Sequence, residues 1–154
     1  MDELFDIELS EEDAMRDKYL TFRVNTQAYA IPIRYVTEII GAQTPTPVPR
    51  TPEFITGLIN LRGAVVPVID LNLRFGRRET APTEKSCVII LLFDTMHIGA
   101  AVDEVLDVMT IEDAELRAAS GAHEGADGGF VTAIGVRETT ALQIIDVTRV
   151  FDLD

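Results

Sequence analysis

The chain has 154 residues with 26 acidic against 13 basic side chains, a net charge of −13 and an isoelectric point near 4.4, a balance that excludes nucleic acid and anionic lipid surfaces as partners because both need clustered Lys and Arg. Hydrophobic residues make up 47% of it, enough to bury a core, and they fall in runs of about four to eight, far short of the roughly 20 that a membrane helix needs. The start is acidic where a signal peptide would be basic and then apolar, and the single cysteine, Cys87, has no partner for an internal disulfide, so the expectation is a cytoplasmic protein without direct membrane insertion.

Residues 1–18 hold eight acids against Arg16 and Lys18, about −6 of the net charge. They read as an acidic flexible leader, with Ser10 and Asp13 resembling a helix N-cap and its first turn. From Tyr19 the pattern changes. Leu20, Phe22 and Val24 alternate with polar residues, Asn25-Thr26-Gln27 makes a turn, and Tyr29 and Ile31 alternate again, which predicts a hairpin. Tyr35 to Ile40 is a third strand, followed by a stiff connector with Pro45, Pro47, Pro49 and Pro52. Phe54 to Leu61 and Ala64 to Ile69 are two further strands joined across Arg62-Gly63, and Asp70 can cap a short helix that begins the run to Phe75. Residues 77–85 read as a linker.

The second half repeats the first. Shifted by 69 positions, Leu20, Phe22, Val24, Ile33 and Val36 fall on Ile89, Leu91, Phe93, Val102 and Val105; shifted by 76, Phe54 to Leu58 falls on Phe130 to Ile134, and Phe75 on Phe151. The offset grows by seven because the second half has a longer connector, where the Gly-rich stretch 121–129 lies. Five short strands per unit, with no helix able to cover a sheet, close most economically into a small barrel. The expectation is therefore an all-β protein of two small five-stranded barrels, a first subdomain over about 19–76 and a second over about 86–151, open to strand exchange, with a groove where they meet.

Signals for catalysis are poor. Cys87 sits in an alternating strand with no identifiable base, and His97 alternates with Ile98 and so points outward. His123, Glu124 and Asp127 lack the spacing of a metal site, and their loop lacks the Lys of a phosphate loop. Two polar residues stand out. Arg62 occupies a tight turn between apolar strands, and Glu38 shares an otherwise apolar face with Val36 and Ile40, where a carboxylate calls for a cation. Arg62, Arg34 and Arg50 are the candidate partners.

The segments YLTFRVNTQAYAIPIRYVTEII, TPEFITGLINLRGAVVPVIDLNLRFG and HIGAAVDEVLDVMTI, in this order, resemble the CheW family of chemotaxis coupling proteins over Tyr19 to Phe151. The most specific element is Gly57-Leu58-Ile59-Asn60-Leu61-Arg62-Gly63 followed by Val66-Pro67-Val68-Ile69-Asp70-Leu71. The resemblance implies two interlocked SH3-like β-barrels, no catalysis, no cofactor and no metal. It also implies a scaffold, monomeric alone, that joins the regulatory domain of the histidine kinase CheA to the cytoplasmic tip of methyl-accepting chemoreceptors, in rings at membrane-associated arrays. By that likeness Ile33, Val36, Glu38, Asn60, Arg62, Val102 and Val105 belong to a receptor groove, and Gly57, Gly63 and Val65 to a kinase-facing end. The alternatives are an adaptor of a parallel chemosensory system, such as one for surface motility, and a small-molecule-binding or hydrolytic β-barrel using His97 or Cys87.

Overall fold

The computed structural model describes residues 16–118, 129–137 and 140–152. Eleven strands are present among them: β1 Lys18–Val24, β2 Gln27–Pro32, β3 Val36–Gly41, β4 Ile55–Leu61, β5 Ala64–Asp70, β6 Cys87–Phe93, β7 Met96–Val102, β8 Glu104–Thr110, β9 Leu116–Ala118, β10 Val131–Arg137 and β11 Thr140–Ile145. Two short helices, α1 Leu71–Arg74 and α2 Val147–Phe151, follow β5 and β11. Most of the leader and of the Gly-rich connector, with the readings made for Ser10, His123, Glu124 and Asp127, lie outside the described residues.

The repeat is visible in three dimensions. β1, β2 and β3 correspond to β6, β7 and β8, and β4, β5 and α1 to β10, β11 and α2. Local chemistry recurs with it. Asn25 and Asp94, mates in the two hairpin turns, take φ of 61° and 62°, a left-handed conformation that short polar side chains tolerate. Asp70 caps α1 by accepting the Asn72 and Leu73 amides, and its mate Asp146 caps α2 by accepting the Arg149 amide.

The sheets do not follow the halves of the sequence. One sheet runs β8-β1-β2-β11-β10-β9, the other β3-β6-β7-β5-β4; under the repeat, the first five strands of one map onto the five strands of the other in order. Each sheet thus mixes both halves, joined by the parallel pairs β2–β11 and β5–β7. The chain crosses between sheets at the 3₁₀ turn Ile33–Tyr35, after β2, and at Asp103, after β7. One departure from five strands per sheet is β9, three residues of the longer connector that pair with β10.

Packing explains the mixing. β6 buries Val88, Ile89, Ile90 and Leu91 in succession, a run that only a strand covered on both faces can hold. Val88 and Ile90 join Ile59, Val66 and Val68 in a cluster belonging to the second sheet. Ile89 and Leu91 join a larger cluster shared by both sheets, with Leu20, Phe22, Tyr29, Ile31, Phe75 and Phe151 among its members. The first sheet has its own cluster of Ala30, Ile111, Leu142 and Ile144. Both edge strands β3 and β8 carry a register shift, between Val36 and Glu38 and between Val105 and Asp107, and such bulges add twist. The second sheet curls until the chain following β3 pairs with β4 through the bridge between Thr46 and Leu58, giving the SH3-like barrel.

Candidate functional site

The β4–β5 hairpin turns in two residues, with Leu61 opposite Ala64 and φ of 51° at Arg62 and 87° at Gly63. Positive φ at both central positions is the I′ geometry that matches strand twist. Glycine adopts it freely, whereas an arginine pays roughly 1–2 kcal/mol for left-handed backbone. Asn60 offsets part of that strain, because its Oδ1 accepts the Gly63 amide at 2.9 Å. Arginine is therefore here despite the turn, which directs attention to its side chain.

That side chain reaches across the barrel. Arg62 Nη2 donates to Glu38 Oε1 at 2.6 Å and also engages Oε2, tying the β4–β5 tip to the opposite edge strand β3. Glu38 is held below its usual carboxylate range, chiefly by the hydrogen bond from Arg62 and against some desolvation, with the charges of Arg62 and His97 adding. The pair raises the Arg62 pKa in turn. Of the three cations considered for Glu38 it is Arg62 that pairs; Arg34 stacks over Tyr35, 4.8 Å from its ring centre. Arg62 remains 73% exposed, so the bridge adds little stability while fixing where its charges sit.

The anchors predicted for a groove form two pairs of repeat mates, Ile33 with Val102 and Val36 with Val105. Ile33, Val36 and Val105 are half-buried against the shared core, each with surface left over. Val102 differs: at 4% exposure it is a core residue and offers a partner nothing directly. Asn60 is exposed and occupied with the turn. Gly63 and Val65 stand exposed at the hairpin, Val65 at 63%. Gly57 is buried in β4, where an added Cβ would lie 2.3 Å from the Thr46 carbonyl oxygen, so it bears on any interface only through the Pro45-Thr46 segment it seats. Exposed apolar residues outside the predicted site are Leu92 and Met96 at the β6–β7 tip, Ile39, Leu106 and Val108 on the edge strands, and Val136 on β10; alternation gives each a side but not a role.

The opposite end of the second barrel opens on a cavity of about 410 Å³, floored by Val68 and Val88, with Asp70, Glu79 and Asp103 on its wall. Burial pushes the Asp70 carboxyl up, two backbone amides oppose that, and Glu79 and Asp103 add to it. No group of three His, Cys, Asp or Glu suited to a metal occurs among the described residues. Cys87 and His97 cannot cooperate as nucleophile and base: Cys87 pairs with Val102 and His97 with Leu92, five positions along the ladder, or about 17 Å. No helix among the described residues is long and apolar enough to cross a membrane.

Comparison with known proteins agrees with this geometry. The family model for the CheW-like domain matches residues 18–154. The chain is 37% identical over 136 residues to the chemotaxis protein CheW of Bacillus subtilis, covering 88% of this chain and 87% of that one. It is 31% identical to the CheW of Klebsiella aerogenes, over 89% and 82% of the two chains, and 30% identical over 99 residues to the protein FrzA of Myxococcus xanthus, over 64% and 62%. The crystal structure of the scaffolding protein TtCheW from Thermoanaerobacter tengcongensis superposes with a TM-score of 0.79 at 30% identity, covering 90% of this chain and 94% of that one. With its duplicated, strand-mixed barrels and its NLRG hairpin, the chain belongs to the CheW family, the non-catalytic scaffold proteins of chemotaxis.

Proposed function

We propose that this protein couples methyl-accepting chemoreceptors to the histidine kinase CheA, receiving the receptor's helical tip beside β3 and β8 and the kinase's regulatory domain at the β4–β5 end of the second barrel. The observation that carries the reading is the Arg62–Glu38 pair, built into a turn that disfavours arginine and tied to β3, the strand that also holds Val36. Apolar anchors receive an amphipathic helix, and a fixed charge pair sets its register without supplying much affinity. Val65, Leu92 and Met96 at the hairpin tips give the kinase-facing end an apolar surface. Weak contacts suffice, because a cytoplasmic array of receptors and kinase multiplies them through effective concentration.

Calorimetric titration of the protein against the regulatory domain of its cognate CheA-like kinase, and separately against a receptor-tip fragment, tests the proposal. Saturable one-to-one binding to both supports it; binding to neither removes it. Val36→Asp abolishes the receptor titration and leaves the kinase titration intact if the groove is assigned correctly. A second reading, an adaptor of a parallel system such as one for surface motility, is favoured by one observation, that the relatives include a protein with a name other than CheW; the same titration with that system's kinase decides between them.

A further inference from the structure

Arg74 breaks the repeat. Its mate is Val150, whereas the residues around it obey the repeat: Phe54 and Phe130, mates at the entrances of β4 and β10, lie on its guanidinium at 4.1 and 4.6 Å from their ring centres. The same guanidinium donates from Nε to the Val150 carbonyl at 3.0 Å and from Nη2 to the Arg149 carbonyl at 2.8 Å. A single arginine therefore sits between two symmetry-related phenylalanines and binds the backbone of its own counterpart.

Among the described residues, the chain passes between the two barrels only at the mated crossovers Ile33–Tyr35 and Asp103. Arg74 leaves α1, which follows the second sheet, and contacts Phe130 and α2, which belong with the first. The shared core draws the barrels together, but apolar contact is non-directional and does not by itself fix an angle; Arg77, just past α1, adds one directional tie by donating to the Tyr29 hydroxyl at 2.6 Å and to Gln27 at 3.2 Å on β2. Two hydrogen bonds from a planar fork, clamped between two rings, do fix an angle. Burial lowers the Arg74 pKa, yet an arginine stays charged, so the clamp holds across physiological pH.

We infer that Arg74 is the positioning residue that sets the angle between the two barrels, and that control of the kinase by the receptor depends on it while binding of either partner alone does not. The second half of this statement rests on the proposed function. A scaffold whose partners sit on different parts of two barrels passes on a change only as far as the barrels keep a defined relation.

The test uses the full chain as wild type, Arg74→Met, which keeps an apolar stem and loses the fork, and Arg74→Lys, which keeps charge and stem as the milder variant should the first fail to fold. Residual dipolar couplings of backbone amides in the free protein report the angle. The expected result is one alignment tensor for both barrels in the wild type and two in the variants. A single unchanged tensor in a folded variant overturns the inference, whatever the partners do. In the reconstituted assembly with kinase and receptor, the variants should bind each partner within about twofold of wild type and lose about tenfold in receptor control of kinase activity. Unchanged control, or binding that falls in step with it, overturns the coupling role. If the wild type binds neither partner while the tensors separate as expected, the positioning role stands and the scaffold reading falls.

Discussion

At the scale of single residues, position and partner decide what a substitution does. Gly57 has φ +149° and the Thr46 carbonyl 2.3 Å from where a Cβ would be, and the Thr46–Leu58 bridge closes there with bonds of 2.8 and 2.9 Å. Gly57→Ala should cost about 3 kcal/mol and lower the urea midpoint at unchanged slope. Arg62→Gly should do the reverse for the fold, leaving the thermal midpoint level or higher by relieving left-handed backbone, while weakening receptor-tip affinity roughly tenfold by calorimetry. Asp70 gives a pH signature. Its folded pKa is raised, so the folded state holds its proton to higher pH than the unfolded state, and its share of stability falls as pH rises from the unfolded value through the folded one. Asp70→Asn keeps a capping oxygen and removes that dependence; the stability difference, wild type minus variant, should grow as pH is lowered from neutrality into the ordinary carboxylate range in paired urea titrations. Sequence alone marked Arg62 and Glu38 as unusual because one occupied a tight turn and the other an apolar face. It could not pair them, since they lie 24 positions apart and three cations competed. Nor could it tell that Val102 is sealed in the core while Val105 is not, because alternation gives a side and not a depth.

Among the elements, strands were legible wherever period-two alternation or a both-faces apolar run persisted, and α1 from the Asp70 cap at its start. β9 was not, since three residues carry no period and its pairing depends on β10. The smallest elements nevertheless carry weight. α2 places Val147, Val150 and Phe151 in the shared core, at 6, 0 and 1% exposure. Burying each contributes about 1.5–3 kcal/mol, together comparable with a typical total stability of about 5–15 kcal/mol. A chain ending at Asp146 should therefore lose its cooperative thermal transition, and Phe151→Ala alone should cost about 3–5 kcal/mol by urea unfolding.

For the whole molecule, the duplication was readable because matched side chains recur at fixed offsets, and strand exchange was open, but which strands the copies exchange was not readable. Nothing in β2 announces that its neighbour is β11, a parallel contact whose register is set by burial on both sides. The consequence is that neither half holds a complete sheet: residues 16–82 supply β1 and β2 to one and β3, β4 and β5 to the other. Each half expressed alone should give an amide spectrum without dispersion, and the two mixed or co-expressed should recover the dispersed spectrum of the intact chain. Independent folding of either half would contradict the shared core.

The same exchange imposes an order on synthesis. All five strands of the second sheet lie between residues 36 and 102, whereas the first needs β1, from residue 18, and β11, to residue 145. On a ribosome adding roughly 5–20 residues per second, the second barrel is complete while the opening hairpin still waits, with Leu20, Phe22, Val24, Tyr29 and Ile31 lacking the β11 neighbour that helps enclose them. β1 and β2, made before every other strand described, are among the last to be enclosed, so it is the nascent chain, rather than the finished scaffold, that leaves their apolar side chains uncovered.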